Sequence, residues 1–300
     1  MTGCADRSRR QMAIPWGQLL IVVAISLGSM VSPCVARDIY VDNRTGNNRQ
    51  NGALPKRIEG DIGPVRTIAR ALQLANSGDT IVLAQNERPY RESIQLIGRR
   101  HSGAGDVPFR IIGNGAVLSG AEPVPMSAWR GAENDLWTFT PWRKGTYQLR
   151  MDGKPLPRFP LTANHGDLKE IPIGQWTVDR GKIYYRGEPL ADVPGQSFDF
   201  AARGVGITLR DVHDVSIENL TVECFRIDGV NASGSTDNCV LQDVISRHHG
   251  RSGVYLMGTA DVFLRNCTLR DSAQGQLTIS QFGLADVVDC DLSEPPLLVD

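Results

Sequence analysis

The stretch Ser246–Leu256, SRHHGRSGVYL, places two histidines and two arginines around a glycine and then continues into apolar residues. An imidazole titrates close to neutral pH, so His248 and His249 are candidates for proton transfer. The guanidinium of Arg251 could stabilise a negative charge that develops on a substrate. Whether these groups can act together depends on which residues stand beside them in the fold.

An internal repeat predicts those neighbours. Four polar residues recur at steps of 24, 23 and 23, and an apolar residue two positions earlier recurs with each of them. A second, independent column of apolar residues recurs at steps of 23, 24 and 23. The polar column is Asn219, Asp243, Asn266 and Asp289, and the apolar column is Ile207, Val230, Val254 and Leu277.

Each repeat contains short alternating strands separated by turn residues, and it leaves no room for a helix. A unit of this size predicts one coil of a parallel β-helix, in which coils stack at the strand spacing of about 4.8 Å. Parallel crossovers are overwhelmingly right-handed, so we predict an all-β, right-handed parallel β-helix. The polar column would then be an inward ladder of hydrogen-bonded side chains at one bend.

The front half of the chain predicts a cap for this stack. In Gly63–Leu83, four apolar residues lie at helical spacing, and Thr80–Leu83 follows as an apolar strand. The open end of a β-helix exposes both core and strand edge, so one short helix before the first coil would cover them. We therefore predict a cap and first coils over residues 37–120.

The period breaks after residue 120 and returns near residue 204, with repeat coils over 204–300. Residues 121–203 contain turn signals and four tryptophans, which predicts an inserted β-rich subdomain. The tryptophans could form a platform for sugar rings or fill a small core, and we favour the core because buried aromatic residues are common. They are Trp129, Trp137, Trp142 and Trp176.

The amino terminus has the order of a secretory signal. Arg7, Arg9 and Arg10 precede an apolar run, and small residues end at Ala36. We predict a signal peptide over residues 1–36 and a secreted, periplasmic or cell-surface location, with no membrane span after cleavage. The formal net charge is −1, and it would be −3 without the three arginines and one aspartate of residues 1–36. The net charge is not basic, so it does not suggest a nucleic-acid partner.

Four cysteines lie beyond the predicted signal: Cys224, Cys239, Cys267 and Cys290. Their spacing does not fit a zinc site, and we predict no metal ligands among the site residues. Cys267 and Cys290 stand one period apart, so they are expected to stack as buried thiols, with a disulfide as the less favoured alternative.

Several stretches resemble the opening of a known family. Asp38–Asn43 (DIYVDN), the helical segment, SGDTIVL and YRESIQL resemble exported right-handed parallel β-helix proteins of the pectate-lyase-like superfamily. YQLRMDGKPLPRFP and GKIYYRGEP resemble an insert found in some glycoside hydrolases of this architecture. The resemblance implies a polysaccharide partner, either anionic or neutral, that crosses the outer face of one sheet and its bordering turns. It makes calcium plausible as a cofactor, but the sequence contains no clear acidic nest for it.

Stacking by the period predicts a groove around Ser246–Leu256. It places Arg226, His249 and Ser272 in one column, His248 beside Asp271, Asp228 beside Arg251 and Gln274, and Glu223 beside Arg247 and Arg270. Asn231, Tyr255 and Thr278 should point outward from the next strand, because alternation places Val254 and Leu256 inward. The catalytic candidates are His248, His249, Arg251, Asp228 and Asp271. The candidates for substrate binding are Arg226, Arg247, Tyr255, Asn231 and Gln274.

These residues allow two chemistries and a non-catalytic alternative. A lyase acting on a uronic acid polymer would use His248 or His249 as the base and an arginine to stabilise the enolate. A hydrolase would need two carboxylates, and Asp228 and Asp271 would stand about 9.6 Å apart over two coils. That spacing suits an inverting pair loosely and a retaining pair poorly. Alternatively, these residues are ordinary surface pairs of a carbohydrate-binding or structural cell-surface protein.

Overall fold

The computed structural model describes residues 36–104, 106–161 and 167–300. Apart from its last residue, the predicted signal peptide lies outside the described residues. No helix among the described residues has the length and apolar character needed to cross a membrane.

Short strands make up most of the regular structure in the described residues. The first part contains β1 (Asp38–Val41), α1 (Ile68–Leu74), β2 (Thr80–Leu83), β3 (Ile94–Ile97) and β4 (Phe109–Ser119). Next come β5 (Ala121–Pro123), β6 (Arg130–Gly131), β7 (Leu136–Phe139), β8 (Leu149–Met151), β9 (Lys154–Pro155), β10 (Trp176–Asp179), β11 (Lys182–Arg186) and β12 (Phe198–Ala201). The last part contains β13 (Ile207–Arg210), β14 (His213–Glu223), β15 (Val230–Ser233), β16 (Asp237–Gln242), β17 (Ile245–Arg247), β18 (Ser252–Leu256), β19 (Asp261–Arg265), β20 (Thr268–Arg270), β21 (Gly275–Ser280), β22 (Leu284–Val288), β23 (Asp291–Leu292) and β24 (Leu297–Val299). Short 3₁₀ helices cover Arg99–His101, Met126–Ala128 and Leu168–Glu170.

Two parallel sheets form the stack, so the predicted parallel β-helix is confirmed. One sheet runs in the order β1-β2-β4-β14-β16-β19-β22, and β17, β20 and β23 extend it beyond a bend. The other sheet runs in the order β24-β21-β18-β15-β13-β3. The predicted apolar column is found as consecutive register partners, Ile207, Val230, Val254 and Leu277, all with no exposed surface.

The predicted polar column is also in register, but its side chains do not point into the core. Asn219, Asp243, Asn266 and Asp289 all have positive φ, between 49° and 54°. Asp243 is half-buried, the other three are exposed, and Asn266 Nδ2 donates a hydrogen bond to Asp243 Oδ1. Asn and Asp tolerate this left-handed backbone better than other residues with a Cβ. The expectation of an inward ladder was therefore wrong, because the column marks the backbone bend.

The capping helix α1 is held by polar groups at its start. Thr67 Oγ1 accepts from the backbone N of Arg70 at 3.1 Å. The carboxylate of Glu92 accepts from the backbone N of Ile68 and of Ala69, both at 3.0 Å. These bonds satisfy N–H groups that a helix start leaves without partners. The buried side chains of Ile68 and Ala71 then join the core of the first coils.

The insert contains two four-stranded antiparallel sheets among the described residues, in the orders β10-β11-β7-β6 and β5-β12-β8-β9. Trp129 and Trp176 belong to its buried core, and Trp137 packs partly buried against that core. Trp142 differs, because 53% of its surface is exposed. The preference for a structural role is thus confirmed for three tryptophans and wrong for Trp142.

The four cysteines among the described residues are free thiols, as expected for a thiol stack. Cys224, Cys239 and Cys267 are buried, and Cys290 is half-buried. The backbone N of Cys267 donates to Cys290 Sγ at 3.3 Å, one coil away. Burial raises the pKa of Cys267 to about 12, so this thiol stays protonated at neutral pH.

Candidate functional site

The two histidines of Ser246–Leu256 lie in a bend that follows β17, and the same bend follows β14 and β20. Glu223, Arg247 and Arg270 are register partners at the ends of these strands. The next residue in each coil has positive φ: 56° at Cys224, 60° at His248 and 58° at Asp271. The same backbone turn therefore repeats in three coils, and it brings the second and third side chains together. Nδ1 of His248 lies 3.8 Å from Oδ2 of Asp271.

His248 is partly accessible and is suited to accept a proton. Its side chain is 22% exposed, and that of Asp271 is 55% exposed. Burial lowers the pKa of His248, although the negative charge of Asp271 opposes the shift. The imidazole is accordingly neutral at neutral pH, which is the state that a general base requires.

His249 has no exposed surface. Its Nδ1 accepts from the backbone N of Phe225 at 3.2 Å, so Nε2 carries the proton and donates to Ser246 Oγ at 3.0 Å. The Ser246 hydroxyl in turn donates to the carbonyl oxygen of Gly253 at 2.9 Å. Burial lowers the pKa of His249 to about 3. A substrate cannot reach this ring, and we therefore correct the prediction of a catalytic role for His249.

The predicted column of Arg226 beside His249 is displaced by one residue. The step from Glu223 to Arg247 is 24, and the backbone N of Gly250 donates to the carbonyl oxygen of Phe225. Phe225 is therefore the neighbour of His249, and their rings stack with centroids 6.0 Å apart. Arg226 instead turns toward the insert, where its Nη1 donates to the carbonyl oxygen of Lys144.

Asp228 is fully buried. Arg251 donates to both carboxylate oxygens, Nε to Oδ1 at 2.8 Å and Nη2 to Oδ2 at 2.6 Å. Asn231 Nδ2 donates to Oδ2 at 2.9 Å. The prediction that Asp228 and Asp271 form a hydrolytic pair is corrected, because a carboxylate with these partners and no accessible surface cannot contact a sugar.

Arg251 and Tyr255 form the accessible part of the neighbouring strand edge. Arg251 is one-third exposed, and its guanidinium carbon lies 4.1 Å from the centre of the Tyr255 ring. Tyr255 is half-buried and is the register partner of Asn231, as the predicted outward column requires. Thr278, the next register partner, is only 3% exposed, so the prediction of an accessible side chain is wrong there. Gln274 is exposed, and its backbone N donates to the carbonyl oxygen of Arg251 at 2.9 Å.

Arg247 pairs with Glu223, as the period predicted, and this pair belongs to a network that extends into the insert, which the period did not predict. Its Nη2 lies 2.8 Å from Oε2 of Glu223, and Oε1 of the same carboxylate lies 2.8 Å from Nη1 of Arg150. Arg150 also pairs with Asp199, Nε to Oδ1 at 2.6 Å. Burial opposes ionisation of Glu223, but the two arginines outweigh it and lower its pKa. Arg150 and Asp199 lie in the insert, where no period signals their position.

The resemblance made calcium plausible as a cofactor. The described residues contain no group of three or more His, Cys, Asp or Glu side chains that could hold a metal ion. The available carboxylates are instead used by arginines, as at Asp228 and Glu223.

No protein-family model and no curated protein matches the chain. Two solved structures share its fold. XylC, in a complex with xylose, matches with a TM-score of 0.59 and 13% identity over 87% of this chain and 60% of XylC. A glycoside hydrolase matches with a TM-score of 0.56 and 14% identity over 82% of this chain and 68% of that one. The chain therefore spans about three-fifths of XylC, and at these identities the likeness concerns the fold.

Proposed function

We propose that the protein acts on a polysaccharide, as a lyase or a glycoside hydrolase, in a groove on the outer face of the β-helix. The groove runs past Arg247, His248, Arg251, Tyr255 and Asp271. The observation that carries this proposal is the partly exposed His248 imidazole, which burial keeps neutral and which lies 3.8 Å from Asp271. The fold shared with XylC and a glycoside hydrolase supports a carbohydrate substrate.

The site geometry favours elimination over hydrolysis. In a uronic acid polymer, neutral His248 would take the proton next to the carboxylate, and the guanidinium of Arg251 or Arg247 would stabilise the enolate. The electron pair then forms a carbon–carbon double bond, and the glycosidic oxygen leaves and takes a proton from water or from the imidazolium. Hydrolysis would need a second accessible carboxylate beside Asp271, and Asp228 does not provide it because it is fully buried.

One observation favours the non-catalytic alternative, a carbohydrate-binding or structural cell-surface protein. Two arginines of the groove are already paired inside the protein, Arg251 with Asp228 at 2.6 Å and Arg247 with Glu223 at 2.8 Å. Such pairs fix the orientation of the arginines on a binding surface, and this role requires no chemical reaction.

The test is the variant His248→Asn, since asparagine suits the φ of 60° at this position. Uronate-rich and neutral glycans are screened for new reducing ends and for the ultraviolet absorbance of an unsaturated product. Loss of the base should lower kcat by roughly 10²–10⁴-fold. His213→Asn is the matched control, because His213 is an exposed histidine that also contacts an aspartate, Asp214 at 2.8 Å.

Full activity of His248→Asn would overturn the role of His248. No turnover by the wild-type protein on any glycan, together with retained glycan binding, would favour the non-catalytic alternative.

The proposal includes export through the signal predicted over residues 1–36, because polysaccharides of this kind occur outside the cytoplasm. The predicted segments 37–120, 121–203 and 204–300 are proposed as its structural units.

A further inference from the structure

A second cleft lies between the β-helix and the insert and has a volume of about 360 Å³. We call it the insert cleft. The residues that matter for its chemistry are Gln95, Glu122, Trp142, Arg143, Arg203 and Arg226. Its size lies within the range of roughly 300–1,000 Å³ that is typical of small-molecule sites.

The insert cleft carries an excess of positive charge. Three guanidinium groups line it, and Glu122 is the carboxylate that lines it among the described residues. Glu122 pairs with Arg203, Oε1 to Nη2 at 3.1 Å. Arg143 is exposed and has no ion pair with any described residue, so its guanidinium is available to a ligand. A guanidinium binds a carboxylate through two parallel hydrogen bonds.

An indole ring is presented beside these charges. Trp142 is 53% exposed, whereas Trp129 and Trp176 are buried in the insert core. Phe200 contacts Trp142 edge to face, with ring centroids 4.8 Å apart and planes at 84°. This contact holds the ring in place while much of its surface stays accessible. A flat aromatic surface of this kind suits the apolar face of a pyranose ring.

The segment that carries Trp142 and Arg143 is fixed to the β-helix. It joins β7 to β8, and its Thr146 donates through Oγ1 to the carbonyl oxygen of Arg226. Nη1 of Arg226 donates in return to the carbonyl oxygen of Lys144. Gly145 has φ 148°, a conformation that favours glycine, and a Cβ there would force Nη1 of Arg226 to move. The Trp142 ring and the backbone that carries Arg143 are therefore held in place before a ligand arrives.

We propose that the insert cleft binds one acidic sugar residue of a polysaccharide, with its ring against Trp142 and its carboxylate on Arg143 and Arg203. This inference rests on the proposed function and specifies the substrate class. The charge is what selects the ligand, because a neutral sugar would leave the free guanidinium of Arg143 without a partner.

The experiment measures dissociation constants by calorimetry in the His248→Asn background, which prevents turnover. The probes are trisaccharides of galacturonate, glucuronate and mannuronate, each with its uncharged methyl ester, and xylotriose. We expect one acidic probe to bind more tightly than its ester. Arg143→Gln should weaken that acidic probe roughly 10–100-fold and leave the ester unchanged. Trp142→Ala should weaken both, and Arg57→Gln, at an exposed arginine of the amino-terminal segment, should weaken neither.

Equal affinity for acid and ester in all three pairs, or an acidic probe that Arg143→Gln does not weaken, would overturn the insert cleft as an acidic subsite. The proposed function is judged separately by the turnover of the wild-type protein and its loss in His248→Asn. A wild-type protein that neither binds nor converts any glycan would contradict both proposals.

Discussion

The imidazole of His248 keeps 22% of its side chain exposed, whereas that of His249 has no exposed surface. The difference arises from the bend, where the backbone of His248 is left-handed and the following side chain returns toward the core against Phe225. At the residue scale, the chemistry available to two adjacent histidines is therefore set by their burial. His248 can exchange protons with a ligand, and His249 contributes to stability.

A prediction about pH follows from His249. Its pKa is about 3 in the folded protein and about 6.5 in the unfolded chain, because burial disfavours the charged ring. Between these values the unfolded chain takes up a proton that the folded protein does not. The stabilising contribution is thus complete above about pH 6.5 and falls with pH toward 3, by at most about 1.4 kcal/mol per pH unit.

The measurement is the free energy of unfolding in urea between pH 7 and pH 4 for the wild type and His249→Gln. His101 and His248 also have lowered pKa values, so the informative quantity is the difference between the two proteins. This difference should shrink as the pH falls. A parallel profile for His249→Gln would contradict the assignment of this pKa shift to burial.

At the element scale, the bends are the repeated feature, and Asn266 gives a direct test of them. Its φ of 49° is unfavourable for a residue with a Cβ, and its amide also binds Asp243. Asn266→Ala should lower the free energy of unfolding by about 1–2 kcal/mol, since it loses the hydrogen bond and keeps a strained backbone. Asn266→Gly relieves the backbone and should cost less than Asn266→Ala. The order is read from urea midpoints, and an alanine variant as stable as the glycine variant would contradict it.

Most of the strand register could be predicted from the sequence, because stacked coils must repeat the same core positions. The columns through Ile207 and Asn219 are found in register, and the contacts of His248 with Asp271 and of Arg251 with Asp228 were expected from the same steps. The direction of the polar column was not predictable from spacing, since an exposed bend and an inward ladder give the same period.

Two parts of the candidate site could not be predicted for physical reasons. The steps alternate between 23 and 24, and a one-residue error moves a side chain to the other face of its strand. This error placed Arg226 beside His249, where Phe225 lies. The insert has no period at all, so sequence columns could not connect Arg150 to Glu223.

At the scale of the whole molecule, the insert does not interrupt the stacking of the coils. β4 and β14 are direct register partners, with Ile111 opposite Ile217, although the insert separates them in the chain. Arg150 joins the two parts, because it binds Asp199 of the insert and Glu223 of the β-helix through separate nitrogens. Only 5% of Arg150 is exposed, so solvent cannot replace these contacts.

We therefore expect Arg150→Met to destabilise the protein by up to about 3–5 kcal/mol, because Asp199 loses its guanidinium partner and Glu223 keeps only Arg247. Amide hydrogen exchange should increase in β8 and β12 before it increases in the coils, since the insert loses its ionic link to the stack. Arg110→Met is the matched control: Arg110 pairs with Glu218 at 2.8 Å but is 40% exposed, and its loss should cost about 1 kcal/mol or less. Equal destabilisation by the two variants would show that Arg150 acts as a surface pair and that other contacts hold the insert on the β-helix.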